Sequence, residues 1–452
     1  MCVSACCPMQ VCLRWRLDSR QAGWETVDLT AVRCRSDDGN CQRFLGLMHG
    51  RKVEVTRRLV VPFFLRLDPP AGAELLRMRR LERVDLYASS AGTNRLINNW
   101  GRMPQLTTLR CACDRRGGRL SLDGLVGCRG LVNLSLCDVK LGSSLASWLT
   151  SGAAGRLCCL QLDACTFEWK PSMFVRATHL HTLALGTSSL NDAALAIICS
   201  ETLRLERLDV SFSRVSDLFP LRRLLHLREV LLRCTRCTDD TLKHLSACPR
   251  LVHVTLDCDT TTAGAMLSLP PTLTSLADGD RDVLKRVHLM RGALPSLRRL
   301  ELHNFDGESS TFNSELCQAV SRLSTVDTLS LNLENGVDGI DLSPLASMPS
   351  LTALYISNVW GDDAAPKKIF RLLGPVVDSG RLQQLLLPQK LRRRVPDSAQ
   401  EFERRCGEAN IACPVFGPCD PIADWWPDPE WSMDHVADAP GGSDGTCLAA
   451  DA

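Results

Sequence analysis

The sequence predicts an α/β solenoid with a parallel β-sheet lining one side and helices and short turns on the other, the whole curved into a horseshoe. Three observations predict it. A pattern of the form LxxLxL recurs thirteen times, opening at Leu81, Leu106, Leu131, Leu157, Leu180, Leu205, Leu227, Leu251, Leu273, Leu297, Val326, Leu351 and Leu382. The intervals average about 25 residues, a period that fits one strand and one return segment per copy. Within each copy, as in Leu205-Glu-Arg-Leu208-Asp-Val210, the last two apolar positions alternate with polar ones, the mark of a short strand with one buried face.

Residues 1–80 are expected to cap the array, because an exposed end of a solenoid core must be covered. Trp24 to Leu29 fits a single degenerate strand, and Pro69 to Arg80 reads as a proline-started helix leading into the first clear copy. Strands stacked in parallel at roughly 4.8 Å give the thirteen copies an inner face about 60 Å long. The return segments carry helix signals. In the stretch from Asp239 to Pro249, acidic residues stand where an N-cap is expected, Leu242, Leu245 and Cys248 recur on one face, and Pro249 stops the helix. Asn191 to Ile198 and Asp217 to Leu227 read alike, whereas Ser343 to Pro349 leaves room for little more than one turn between its prolines. Asp278 takes the third leucine position of its copy, so that strand is expected to be weak. The two longest spacings accommodate an insert at 307–310 and a fuller helix through 366–373, both candidate contact loops. A terminal cap is read as a helix over 397–406 and a last strand over 411–413. Beyond it, 414–452 is an acidic tail containing proline and tryptophan, expected to be disordered.

The segment CTDDTLKHLSACPRLVHVTLDC, from Cys237 to Cys258, resembles the cysteine-containing subfamily of leucine-rich repeats, whose consensus runs cysteine, Asp-x-x-Leu, x-x-Leu, x-x-Cys-Pro-x-Leu, x-x-Leu-x-Leu. DLSPLASMPSLTALYIS, from Asp341 to Ser357, is similar to the shorter repeats of a nuclear phosphatase-regulating subunit. The resemblance covers about 80–413. It implies a leucine-rich-repeat scaffold or adaptor that binds a partner protein through its concave face. It also implies two narrower alternatives: a substrate receptor of a ubiquitin ligase, although no F-box is legible in 1–80, and a phosphatase regulatory subunit.

Composition narrows the function classes. At 452 residues, 45% apolar and a net charge of +2, the chain can bury a large core and is no dedicated polyanion binder. The charge is uneven: from Cys406 onward there are nine acidic residues and no Lys or Arg, leaving +11 on residues 1–405. Basic runs such as Arg77 to Arg80 and Arg392 to Arg394 lack interleaved aromatics, which argues against nucleic-acid binding. An odd count of 23 cysteines in a long chain, many on core positions such as Cys111, Cys165, Cys199, Cys248 and Cys317, points to buried thiols and an intracellular, cytoplasmic setting. No run of 18 apolar residues appears and the first residues lack a secretory signal, so the membrane route left is S-acylation of Cys2, Cys6, Cys7 or Cys12.

No Walker A loop, dinucleotide fingerprint, HExxH, GxSxG or kinase signature is present, so a non-enzymatic protein without cofactor is expected. Cys234, Cys237, His244 and Cys248 have zinc-like spacing, but the repeat register already accounts for Cys237 and Cys248. His179 and His181 flank a buried leucine without a third ligand. Interface anchors are expected among residues projecting from the strands into the concavity: Tyr87, Arg233, Asp257, His303 and Tyr355, with Trp360 just past a strand.

Overall fold

A computed structural model describes residues 26–28, 57–61, 80–87, 101, 103, 105–113, 119–170, 172–186, 190–279, 283–303, 314–333, 340–357 and 365–417. The chain divides into two compact units, Met1–Leu297 and Arg298–Ala452.

In the first unit the strands are β1 (Thr26–Asp28), β2 (Arg58–Val61), β3 (Arg83–Tyr87), β4 (Thr108–Ala112), β5 (Asn133–Cys137), β6 (Lys140–Gly142), β7 (Cys159–Asp163), β8 (Thr166–Phe167), β9 (Thr182–Ala184), β10 (Arg207–Asp209), β11 (Glu229–Arg233), β12 (His253–Asp257) and β13 (Ser275–Asp278). All but β6 and β8, which pair with each other, form one parallel sheet in chain order. The sequence signals one strand before Leu81, and the described residues include two: β2 pairs with both β1 and β3. Its Arg-Leu-Val-Val carries no leading leucine triplet, which hid it. The expected helix over 69–80 falls outside the described residues, apart from Arg80.

One apolar row explains why the strands stack. Leu59, Val84, Leu109, Leu134, Leu160, Leu183, Leu208, Val230, Val254 and Leu276 follow one another in register through the sheet, each buried. Burying a Leu or Val side chain is worth about 1.5–3 kcal/mol as an upper bound. Each row member is flanked by those of the adjoining strands, so every repeat depends on the next.

Entry and exit of each strand are also repeated devices. Leu157, Leu180, Leu205, Leu227, Leu251, Leu273 and Leu297 each donate their N–H to the carbonyl three residues earlier, at 3.0–3.1 Å. The two residues between are the centre of a tight turn, and Pro249, Pro271 and Pro295 take its first central place, where a fixed φ suits the geometry. At the exit, Asp138, Ala164, Phe212 and Cys234 hold the left-handed conformation, with φ of 57°, 47°, 57° and 49°. The first three donate their N–H to Asp163 O (3.0 Å), Gly186 O (2.9 Å) and Arg233 O (2.7 Å), and Cys234 donates to Asp257 O. A non-glycine residue seldom takes this conformation unless its surroundings fix it. Here the carbonyl of the next repeat does so.

The return side mixes true helices with single turns, as expected. Helices span Ser144–Thr150, Asp192–Glu201 and Val283–Ala293, while Asp123–Gly127 and Phe219–Arg223 are 3-10 turns. The expected helix from Asp217 is thus cut to one turn, since Leu205 and Leu227 stand too close for more. The 239–248 segment is a short helix, Asp239–Leu242, continued by a 3-10 turn, Lys243–Ala247. Its N-cap is Thr238, in a reciprocal arrangement with Thr241, and not an acid. The acids reach the next repeat instead. Asp239 Oδ1 accepts from Thr262 N at 2.8 Å, and Asp192 accepts from Ser216 N and Oγ at 2.8 Å and Asp217 N at 2.9 Å.

These bonds have a pH signature. Burial opposes the charge on Asp192, but the Asp217 and Ser216 hydrogen bonds outweigh it and hold the carboxyl below its ordinary range. A depressed folded-state value means the stabilisation is complete above the unfolded value, about 3.9, and disappears as pH falls through the folded one. We expect Asp192→Ala to lower unfolding free energy by about 1–2 kcal/mol at pH 7. In urea titrations the difference from wild type should shrink toward zero as pH drops below 3.9; a constant difference refutes the account.

The Asp278 strand is not weak. All four residues of β13 are buried, and β13 holds register with β12 from His253↔Ser275 to Leu256↔Asp278. Arg286, from the helix that follows, donates from Nη1 to Asp278 Oδ1 at 2.9 Å and from Nη2 to Thr261 Oγ1 at 2.7 Å, with both ionic side chains fully buried. An ion pair stands where other repeats put a leucine.

In the second unit β14 (Arg299–Leu302), β15 (Thr328–Asn332), β16 (Ala353–Ser357), β17 (Gln384–Pro388) and β18 (Ala412–Gly417) are parallel and in chain order. Leu300, Leu329, Leu354 and Leu385 continue the same kind of buried row. Helices Ser314–Ser321 and Ala365–Asp378 and the 3-10 turn Ser343–Ser347 return the chain. The helix expected over 397–406 runs Pro396–Glu408 and packs Phe402 on Phe370, ring centroids 4.9 Å apart. Asn410, at φ 55°, ends it, and Ile411 N donates back to Cys406 O at 3.0 Å. The 307–310 insert lies outside the described residues. Both units therefore have the leucine-rich-repeat architecture: parallel strands on one side, helices and turns on the other.

Candidate functional site

Strand alternation sends every second side chain away from the core, and the in-register pairing lines these up in rows across strands. In the first unit the middle row runs Asp85, Arg110, Ser135, Gln161, Ala184, Asp209, Leu231, Thr255 and Ala277. Among the residues expected to bind, Arg233 and Asp257 are register partners on β11 and β12, at the exit end. Tyr87 ends β3, and its side chain lies outside the described residues, as does Trp360. His303 and Tyr355 belong to the second unit, after β14 and within β16 respectively. The structure thus brings Arg233 and Asp257 together, with Tyr87, His303 and Tyr355 at or next to the separate strands β3, β14 and β16.

Arg233 is the least satisfied of these residues. Its Nε and Nη2 are shielded from solvent and have no acceptor among the described residues. Its backbone N–H donates to Ser211 Oγ at 3.2 Å. Burial pushes the Asp209 carboxyl up from its ordinary value, opposed by bonds from Ser211 and by the Arg233 charge. Asp163, at the exit end of β7, is also raised, by burial and then by repulsion from Asp209 and Asp138. Cys234 Sγ approaches Asp257 Oδ2 at 3.8 Å.

A row the sequence reading passed over lies at the strand starts: Arg83, Thr108, Asn133, Cys159, Thr182, Arg207, Glu229, His253 and Ser275. The signal was the same alternation, carried two residues earlier. Arg83 Nε, Arg58 Nη2 and Arg110 Nε reach Asp85 at 3.0, 3.6 and 4.0 Å, so one buried carboxylate gathers three guanidinium groups. Arg207 Nε meets Glu229 at 3.0 Å. His253 bridges two hydroxyls, Nδ1 to Ser275 Oγ at 2.9 Å and Nε2 to Thr255 Oγ1 at 3.0 Å. In the second unit His303 Nε2 lies 2.7 Å from Glu301 Oε1, and Tyr355 donates to Gln384 Oε1 at 3.3 Å.

The zinc-spaced residues are not gathered. Cys234 is exposed at its corner, while the buried Cys237 and Cys248 donate to Val215 O (3.9 Å) and Leu221 O (3.4 Å) of the preceding repeat. No group of three or more His, Cys, Asp or Glu among the described residues is placed to hold a metal. Cys111, Cys165, Cys199, Cys248 and Cys317 are buried thiols in no disulfide, and burial raises Cys248 to about 11 and Cys199, Cys317 and Cys165 to about 12. No helix among the described residues is long and apolar enough to cross a membrane. The four N-terminal cysteines fall outside the described residues.

No protein-family model and no curated protein sequence matches the chain. Among solved structures it is similar to a leucine-rich-repeat protein of Leptospira interrogans (TM-score 0.42, 15% identity, covering 76% of this chain and 95% of that one). It is also similar to an internalin of Listeria monocytogenes (TM-score 0.40, 14% identity, 74% of this chain and 91% of that one). An internalin C2 of the same organism gives 0.32 at 16% identity, over 46% of this chain and 83% of that one. These are distant likenesses, at 14–16% identity.

Proposed function

We propose that this chain is a non-enzymatic scaffold or adaptor that binds a partner protein on its strand face, with Arg233 and Asp257 at the centre of the contact in the first unit. His303 and Tyr355 serve as anchors in the second, and Tyr87 and Trp360 complete the set. The observation that carries the reading is Arg233. A guanidinium with two nitrogens shut away from both water and acceptors is held at a cost. A small reorientation onto a partner's carboxylate or carbonyl recovers that cost on binding, and arginines of this kind dominate interface energetics. The fixed register beneath it keeps the surface preformed, so little ordering entropy opposes association.

The test is recovery of the tagged chain from its native cells, with partners identified by mass spectrometry, alongside a Tyr87→Ala, Arg233→Ala, Tyr355→Ala variant. We expect a partner that the variant retains at least about 30-fold more weakly, as for hot-spot losses of 2 kcal/mol or more. A partner held equally by both defeats the strand-face reading. A cullin adaptor or a phosphatase catalytic subunit among the recovered proteins selects between the ubiquitin-ligase receptor and phosphatase-regulator readings.

A further inference from the structure

The strand-entry turns carry a second pattern, independent of the strand face. The second central residue of these turns is, in five successive repeats, Arg156, His179, Arg204, His226 and Arg250, all exposed. The same place holds Gln105 and Gly130 before the run and Thr272 and Ser296 after it. The run of three arginines and two histidines is therefore bounded on both sides by repeats with neither residue at this place, although the turn itself continues. Because the following strands pair in register, the five side chains stand in file along one rim, spaced by the strand separation of about 4.8 Å, or about 19 Å end to end. Contacts confirm the file: Arg250 Nη1 lies 3.3 Å from His226 Nδ1, and His179 Nδ1 lies 2.9 Å from Gly155 O in the turn of Arg156.

None of the three arginines has a carboxylate within 4.0 Å among the described residues. In the next row inward stand Cys158, His181, Glu206, Arg228 and Val252, one acid against one arginine, so the excess remains positive. The first central residue of the turn adds an apolar element. Leu203 and Leu225 are 50% and 58% exposed on adjacent turns, where later repeats put Pro249, Pro271 and Pro295. Proline serves the turn by fixing φ, whereas leucine contributes nothing to it and leaves its side chain in water.

We propose that this rim, from Arg156 to Arg250, is a docking track for an extended acidic polypeptide segment of a partner protein, its carboxylates on the three arginines, with the two imidazoles between them as hydrogen-bond partners, and its apolar side chains on Leu203 and Leu225. An extended segment repeats each face about every 6.6 Å, so four acids at alternate positions span about 20 Å, the length of the file, and the long, flexible arginine side chains take up the difference from the rung spacing. Charge complementarity of this kind speeds and selects association. A polypeptide is favoured over a nucleic acid because the turn residues Gly155, Thr178, Leu203, Leu225 and Pro249 offer no aromatic ring for base stacking.

The test titrates the full chain with a fluorescein-labelled peptide of alternating glutamate and leucine, a glutamine-for-glutamate control peptide, and an oligothymidylate. We expect binding of the acidic peptide that weakens steeply between 50 and 300 mM salt and little binding of the control. The variant R156E/R204E/R250E should weaken it at least 10-fold, L203S/L225S several-fold without changing the salt slope, and the control reversal Arg322→Glu, at an exposed arginine of the second unit, not at all. All these side chains are exposed or lie off the core, so melting temperatures should be unchanged, which separates lost binding from lost folding. Failure of the peptide to bind, or indifference to the triple charge reversal, overturns the proposal. So does tighter binding of oligothymidylate that ignores L203S/L225S, which marks a nucleic-acid surface instead.

Discussion

Arg286→Met is expected to lower unfolding free energy by about 3–5 kcal/mol, because it strands the Asp278 carboxylate in a fully buried position. Asp278→Leu alone should cost a similar amount for the mirrored reason, leaving a guanidinium without its carboxylate. The double variant Asp278→Leu, Arg286→Met should regain most or all of the loss, since replacing both members of a buried pair with packed apolar groups is commonly neutral or stabilising. Thr261 qualifies this, because its hydroxyl and carbonyl also accept from Arg286 Nη2 and lose that donor in the double variant. The measurement is a denaturant double-mutant cycle. Additive single losses, with no recovery in the double, mean that the pair is not the unit that holds this repeat.

The second large effect is at Trp148, on the helix Ser144–Thr150, the largest of the fully buried side chains among the described residues. Trp148→Ala should cost about 3–5 kcal/mol through lost transfer energy and a cavity the helix cannot close. Trp148→Phe should cost much less than its lost area suggests. The indole N–H is buried with no acceptor among the described residues, and phenylalanine removes that donor along with the ring volume. Because each repeat is supported by its neighbours, the damage should be local at first. Amide hydrogen exchange in Trp148→Ala should accelerate over β5, β7 and the β6–β8 pair, and should leave β15 and β16 unchanged. Uniform acceleration across the chain sinks the local account.

The repeated parts of the fold were legible because the same interaction enforces each of them in repeat after repeat. Leucines at fixed offsets reveal a strand whatever lies between them, and every opening residue from Leu81 to Leu382 precedes a strand of the sheet. What escaped was what depends on one side chain meeting another out of pattern. Asp278 read as a defect because its partner is eight residues on, in a helix whose face no leucine pattern marks. The strand at Arg58 was missed because its second and third apolar members are consecutive, without the alternation that announces the others. Return segments were misjudged where spacing, and not composition, sets the length available, as between Leu205 and Leu227.

The candidate site was half legible for the same reason. Counting along the period places Arg233 beside Asp257, and the register does so. Nothing in the count reveals that two Arg233 nitrogens lack acceptors, or that Asp85 gathers three arginines from three strands. Those depend on side-chain directions that a one-dimensional pattern does not carry.

The strand-exit corners bear on how such a chain acquires new specificities. Asp, Ala, Phe and Cys occupy one backbone position after β5, β7, β10 and β11, each with its left-handed φ held by the neighbouring repeat's carbonyl. The geometry is set by the array, so the identity of the corner residue is free to drift. Phe212 shows how far that freedom extends, standing more than half exposed with an aromatic ring where another repeat carries a methyl group. A lineage can alter recognition chemistry at these corners one substitution at a time, with no compensating change in the leucine rows beneath. Novelty is thereby confined to positions where it does not endanger the fold.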